Sequence, residues 1–288
     1  MKALPFLCTL IRSCALVRPT AALVRSTVLE LVILTAHVLM YPTGMAQERR
    51  PVRLPVPRGE ALAAEPLPPQ ESVGPAAGRP PVLLLHGFID NRSVFVLLRR
   101  SLRRHGWPLV WSLNYSPLTC DLRTAAGLLG RHVEEVCART GHERVDMVGH
   151  SLGGLIARYY VQRLGGHARV RTLVTLGTPH GGTRVAPLAS AHPLVRQMRP
   201  DSEVIRELAE PAPHCATQFI GFWSDLDQIM VPVETARIDH PDLRVRNVRV
   251  SGVGHLALPV HAAVAAGIRQ ALTTEEAQAG AAGAVSVA

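Results

Sequence analysis

From Pro81 to about Leu272 the chain alternates between two hydrophobic rhythms. Short apolar runs recur as "PVLLLHG", "PLVWSLNY", "RVDMVGH", "RVRTLVTLGTP", "TQFIGFW" and "LRVRNVRVSGVGH". The first, "PVLLLHG", is a continuous apolar run ending in Gly, as suits a parallel strand covered on both faces. Between them the apolar positions follow helical spacing, in "SVFVLLRRSLRRHG", "CDLRTAAGLLGRHVEEVCART", "LGGLIARYYVQRLGG" and "VHAAVAAGIRQAL". In the second of these, Leu122, Ala125, Ala126, Leu129, Val133 and Val136 share one helix face. The alternation predicts an α/β fold: a doubly wound, mostly parallel sheet with helices on both faces. In such sheets, sites collect at the carboxyl ends of the strands.

Outside this core the rhythm changes. Residues 1–46 are apolar, with Lys2, Arg12, Arg18 and Arg25 set among them, and the densest run is "TVLELVILTAHVLMY", Thr27 to Tyr41. That run is shorter than the ~20 apolar residues of a membrane span. It also carries Glu30 and His37, which are costly in hydrocarbon. Three roles fit the segment: an export signal cleaved near Gly44–Ala46, an uncleaved membrane-associated helix, or an arm packed on the domain. Residues 47–80, rich in Pro, Arg, Ala and Glu, keep no period and read as a linker. Residues 273–288 read as a flexible small-residue tail. The folded α/β domain is thus expected at 81–272.

Composition narrows the function. The 288 residues are 47% hydrophobic and carry a formal net charge of +9. Basic chains can bind nucleic acid, but Lys2 is the sole lysine and the arginines are scattered rather than clustered. No binding motif accompanies them, so no nucleic-acid partner is expected. The five cysteines, Cys8, Cys14, Cys120, Cys137 and Cys215, form no CxxC pair and no zinc spacing. Cys120 and Cys137 flank one predicted helix, about 25 Å apart at its rise per residue, beyond the ~7 Å limit for bridged Cα atoms. A disulfide among the last three would need Cys215.

The chemistry begins with "GHSLG", Gly149 to Gly153, which has strand before it and helix after it. That context raises a serine on a sharp turn, clear of its own backbone, with helix N–H groups ready for a developing oxyanion. The alternative is a plain capping serine, Ser151, in a Gly-rich turn. A nucleophilic serine needs a base and an orienting acid, which follow this motif in the order acid, then histidine. Downstream, "FIGFWSDLDQIMVP" offers Asp225 and Asp227, and Asp227 is favoured because the apolar "QIMVP" would fix its loop. Of 13 histidines, His255 in "VRVSGVGHLALPV" alone combines chain order, strand end and a glycine-flexed loop. His86, His150 and His180 lie in motifs but out of order, and His192, His214, His240 and His261 read as ordinary surface or core residues. The loop after the first strand, "LLLHGFIDNRSVF", would supply the N–H of Phe88 as an oxyanion donor beside that of Leu152. Further on, Val185, Leu188, Leu194, Val195 and Met198 fit an acyl groove, a mobile flap, or the plain core of a helical excursion. "NRS" at Asn91 matches a glycosylation acceptor by coincidence.

Together, "LLLHGF", "VGHSLGGLIARYY", "VTLGTPHGGT", "WSDLDQIMVP" and "GVGHLALP" resemble the bacterial lipases and esterases of the α/β-hydrolase superfamily, in particular the small actinobacterial secreted lipases. The resemblance covers Pro81 to about Leu272, and "TLGTPHGGT" is its most specific part. It implies an α/β-hydrolase fold with Ser151 as nucleophile, Asp227 as acid, His255 as base, and Phe88 and Leu152 as oxyanion donors. The implied activity is hydrolysis of lipid-like carboxylic esters through an acyl-enzyme, with no cofactor and no metal. An acyltransferase on the same triad and a non-catalytic, membrane-associated protein of the same fold are the alternatives. The expected partners are a lipid or small ester and a membrane surface touched by the N-terminal segment. The protein is expected to be a monomer, secreted or membrane-associated outside the cytoplasm.

Overall fold

The computed structural model describes residues 21–46, 78–88, 90–115, 121–185 and 192–284. Six strands form one sheet: β1 (Val82–Leu85), β2 (Val110–Leu113), β3 (Val145–His150), β4 (Val170–Leu176), β5 (Gln218–Ser224) and β6 (Arg244–Val250). Their order is β2-β1-β3-β4-β5-β6, and every pairing is parallel. The helices are α1 (Ala21–Ala46), α2 (Val96–Arg104), α3 (Leu122–Thr140), α4 (Leu152–Arg163), the short α5 (Pro193–Gln197) and α6 (Glu203–Ala209), and α7 (Ala262–Ala284).

The two-residue period of the strands sorts their side chains into two cores. Leu83, Leu85, Met147, Leu173 and Phe219 pack with the apolar faces of α3 and α4 on one side of the sheet. Val82, Leu84, Val148, Val174 and Ile220 pack with α2 and α7 on the other. Burial on both faces is why β1 reads as an unbroken apolar run. β6 is an edge strand, and its exposed Arg244, Arg246 and Arg249 guard that edge against pairing with another chain. Helix α3 begins where Asp121 Oδ1 accepts from the Thr124 N–H at 3.0 Å, and it stops at Gly141 (φ 71°). The helix predicted for this stretch therefore keeps all six of its apolar positions in the core.

Three expectations meet the structure. The segment from residue 273, expected as a flexible tail, continues α7 as helix through Ala284, in keeping with its alanine content. Cys137 and Cys215 are buried free thiols, so no bridge joins them; Cys8, Cys14 and Cys120 lie outside the described residues. The N-terminal helix is longer than its densest apolar run, and it lies along the sheet domain from Thr27 to Gly44. Asn91 Nδ2 donates to the Tyr41 carbonyl at 2.8 Å, Asn114 Nδ2 to that of Gly44 at 3.3 Å, and Gln228 Nε2 to Thr27 Oγ1 at 3.1 Å. By length and composition alone α1 is also apolar enough to cross a membrane, with a mean hydropathy of 1.7. Of the linker expected at 47–80, residues 47–77 lie outside the described residues.

Candidate active site

The carboxyl ends of β1, β3, β5 and β6 bring the sequence-predicted residues to one end of the sheet. Ser151 sits between β3 and α4 with φ 52° and ψ −120°, the sole non-glycine residue among those described with a positive φ. Such a conformation costs roughly 1–3 kcal/mol and must be held by its surroundings. The Ser151 N–H donates to the Leu176 carbonyl at 2.9 Å, tying the turn to β4. A Cβ on Gly149 would stand 2.4 Å from Gly154 Cα, and one on Gly153 would stand 2.4 Å from the Leu85 carbonyl oxygen. Both glycines are therefore required by close backbone packing. The serine side chain makes no capping hydrogen bond to α4, which removes the reading of Ser151 as a mere helix cap.

His255 follows β6 and Asp227 follows β5, and neighbouring strands place them together. His255 Nδ1 donates to Asp227 Oδ2 at 2.8 Å. The other carboxylate oxygen, Oδ1, accepts from the N–H groups of Ile229 (3.0 Å) and Met230 (3.1 Å). This is the apolar re-entry that favoured Asp227 in the sequence. Asp225 points elsewhere: it pairs with Arg249 at 2.7 Å near the surface. Burial alone would lower the His255 pKa, but the charge and hydrogen bond of Asp227, with smaller contributions from Glu30 and Asp90, outweigh it and raise the value above 6.5.

Ser151 and His255 line the same cavity, of about 430 Å³. Val185, Val195, Met198, Ile229 and Met230 give it apolar walls. Val195 and Met198 thus serve the cavity while also packing in the core, Leu194 is core, and Leu188 lies outside the described residues. Phe88 lines the cavity, and the turn that carries it abuts the serine: a Cβ on Gly87 would stand 3.4 Å from Ser151 Cβ. Leu152 is the first residue of α4, where helical N–H groups lack intrahelical partners. Among the described residues no group of three or more His, Cys, Asp or Glu is arranged to hold a metal ion.

The remaining histidines have local work. Buried His86 stacks on Tyr115 at 4.3 Å between ring centroids, and burial lowers its pKa to about 4. His180 Nε2 hydrogen-bonds to Thr175 Oγ1 at 3.0 Å. His192 caps α5 through Leu194 N. Asn91 of "NRS" is buried and holds the Ser93 N–H at 2.9 Å, so it offers no accessible acceptor for a glycan.

Sequence reasoning passed over Asp90, Glu30 and His37. Asp90 is buried in the β1–α2 turn, with Oδ2 at 3.4 Å from His150 Nδ1 and Oδ1 at 3.3 Å from His37 Nδ1. Burial opposes its ionisation, but the two imidazoles hold its pKa well below the usual carboxylate range. Glu30 lines the cavity beside His255. The signal for Glu30 and His37 was present in the sequence as polar residues inside an apolar run.

A family model, palmitoyl protein thioesterase, matches residues 81–236, more than half of the chain, from β1 through β5; α1, β6, α7 and His255 lie outside it. The chain belongs to the palmitoyl protein thioesterase family. Its membership agrees with two bacterial triacylglycerol lipases, from Pseudarthrobacter phenanthrenivorans and Burkholderia plantarii. Each is 33% identical to this chain over 123 residues, which is 38% of this chain and 36% and 32% of theirs. The match therefore spans only about a third of those relatives. Among solved structures, the mature lipase BlEst2 of Bacillus licheniformis has a TM-score of 0.55 at 15% identity, covering 66% of this chain and 90% of that one. Aspergillus fumigatus lipase B has 0.52 at 17%, covering 68% and 55%. These show the α/β-hydrolase fold, and the resemblance to bacterial lipases and esterases of that superfamily stands.

Proposed function

We propose that the protein is a serine hydrolase of lipid-like carboxylic esters, working through an acyl-enzyme. Ser151 Oγ attacks the ester carbonyl while His255 Nε2 takes its proton, and Asp227 holds the imidazole in the tautomer that leaves Nε2 free to accept. The N–H groups of Leu152 and Phe88 take the oxyanion. His255 then gives the proton to the departing alcohol, and a water it activates releases the acid from Ser151. The observation that carries this reading is the 2.8 Å His255–Asp227 pair on one cavity with a serine at φ 52°.

The apolar walls favour an acyl chain over a polar substrate. The exposed face of α1, with Leu31, Val32, Val38 and Leu39, is the surface that would meet a membrane. That face and the apolar N-terminal segment support an extracytoplasmic, membrane-associated site of action. A second reading, cleavage of an acyl thioester, is favoured by the family match over residues 81–236. Rates on p-nitrophenyl butyrate, p-nitrophenyl palmitate and a palmitoyl thioester, with and without Ser151→Ala, separate the readings. Oxygen-ester turnover lost in the variant supports the proposal. Turnover of the thioester alone selects the second reading, and an inactive wild type on all three refutes both. Products formed with an added alcohol test for acyl transfer.

A further inference from the structure

The two anomalous residues of α1 both face the catalytic domain. Glu30 Oε2 accepts from the Leu256 N–H at 2.8 Å and Oε1 from the Ala257 N–H at 3.0 Å, the two residues directly after His255. Gly254, directly before His255, leaves room for this approach: a Cβ there would stand 2.4 Å from Glu30 Cδ. On the other side of the loop, His150 Nε2 donates to the His255 carbonyl at 3.2 Å. His150 in turn faces Asp90, and Asp90 faces His37 of α1 at 3.3 Å. The backbone of residues 255–257 is thus gripped through its N–H groups by Glu30 of α1 and at its carbonyl by His150 of β3.

We infer that α1 is a working part of the catalytic site, and that Glu30 is a positioning residue holding the loop that presents His255 to Ser151. This rests on reading Ser151, His255 and Asp227 as the triad. His255 lies beyond the last ladder pair of β6, at Ser224–Val250, so the sheet itself does not fix its backbone. Two hydrogen bonds to a carboxylate are about twice as strong as neutral ones, and a misplacement of about 1 Å at a reacting group can cost ~10²-fold in rate. The carboxylate also acts at a distance. The charged and titratable groups facing His255 are Asp227, Glu30, Asp90 and His150, and the negative charge on Glu30 favours the imidazolium. Cleavage near Ala46, one of the roles the sequence allowed, would remove the Glu30 grip on the loop and leave that of His150.

The test uses the full chain, with kcat, KM and pH profiles on p-nitrophenyl butyrate. Glu30→Ala is expected to lower kcat about tenfold with little change in KM. Glu30→Gln keeps the shape and loses the charge, so the imidazolium is less favoured and the acid limb of kcat/KM moves to lower pH. Gly254→Ala, whose Cβ displaces the carboxylate, is expected to lower kcat as Glu30→Ala does. Thr35→Ala, at an exposed position of the same helix, is expected to match wild type. An unmoved acid limb in Glu30→Gln, or wild-type kcat in Glu30→Ala, overturns the inference. Ser151→Ala retaining wild-type rate overturns the triad reading instead, and the inference falls with it.

Discussion

Replacing Asp227 by Asn tests the acid through the geometry around its two oxygens. Oδ1 already accepts from the N–H groups of Ile229 and Met230 at 3.0 and 3.1 Å. Those donors would hold the Asn carbonyl oxygen in place and turn its NH₂ toward His255 Nδ1. His255 would then accept at Nδ1 and carry its proton on Nε2, the tautomer that cannot take a proton from Ser151. The charge is lost as well. Opposite charges about 4 Å apart at an effective dielectric of about 20 interact by about 4 kcal/mol, which is about 10³ in rate at 1.36 kcal/mol per decade. With the tautomer reversed, the loss approaches ~10⁴, as in other triads so altered. The assay is kcat and KM on p-nitrophenyl butyrate, with a thermal melt to confirm folding. Asp225→Asn serves as the comparison, because Asp225 pairs with Arg249 at the surface. A kcat within tenfold of wild type for Asp227→Asn, or an equal loss for Asp225→Asn, would refute the assignment.

Other outcomes follow from the same structure. Because His255 is raised above 6.5, the base is neutral only above its shifted value, so the acid limb of kcat/KM should lie above pH 6.5; a midpoint below it contradicts the charge effect of Asp227. Gly153→Ala drives a methyl into the carbonyl oxygens of Leu85 and His86, at 2.4 and 2.5 Å, and should cost about 1–3 kcal/mol along with most of the activity, read by urea titration and initial rates. Arg171 holds fully buried Asp146 through Nε at 2.9 Å and Nη2 at 2.5 Å, so Arg171→Met breaks a buried charge pair and should cost about 3–5 kcal/mol in urea unfolding; a loss below about 1 kcal/mol would contradict a structural role for the pair.

Much of this was legible in the chain. The strands of the sheet are short apolar runs whose two faces feed two cores, so their pattern is local and strong. Ser151 was legible because a raised serine needs Gly149 and Gly153 within the same few residues. Asp227 could be favoured over Asp225 because the apolar residues after it anchor its loop. What the sequence hid depends on distant pairing. Glu30 meets Leu256 and Ala257, more than two hundred residues away, and no local period announces that contact. Seen alone, Glu30 and His37 are only costs in an apolar helix, because the N–H groups that satisfy Glu30 and the carboxylate that faces His37 belong to other elements. Asp90 looked like a loop acid for the same reason: its partners, His150 and His37, come from β3 and α1. The helix that continues past residue 273 was hidden because its alanines lack a clear hydrophobic period yet favour helix.

The central claim is that Ser151 becomes covalently acylated. The most direct measurement is intact-mass and peptide mapping of the full chain after reaction with a fluorophosphonate, a mimic of the tetrahedral intermediate. One adduct per chain on the peptide containing Ser151, competed by p-nitrophenyl butyrate and absent in Ser151→Ala, is the result expected. Labelling at another residue, or ester hydrolysis that persists in Ser151→Ala, would contradict it.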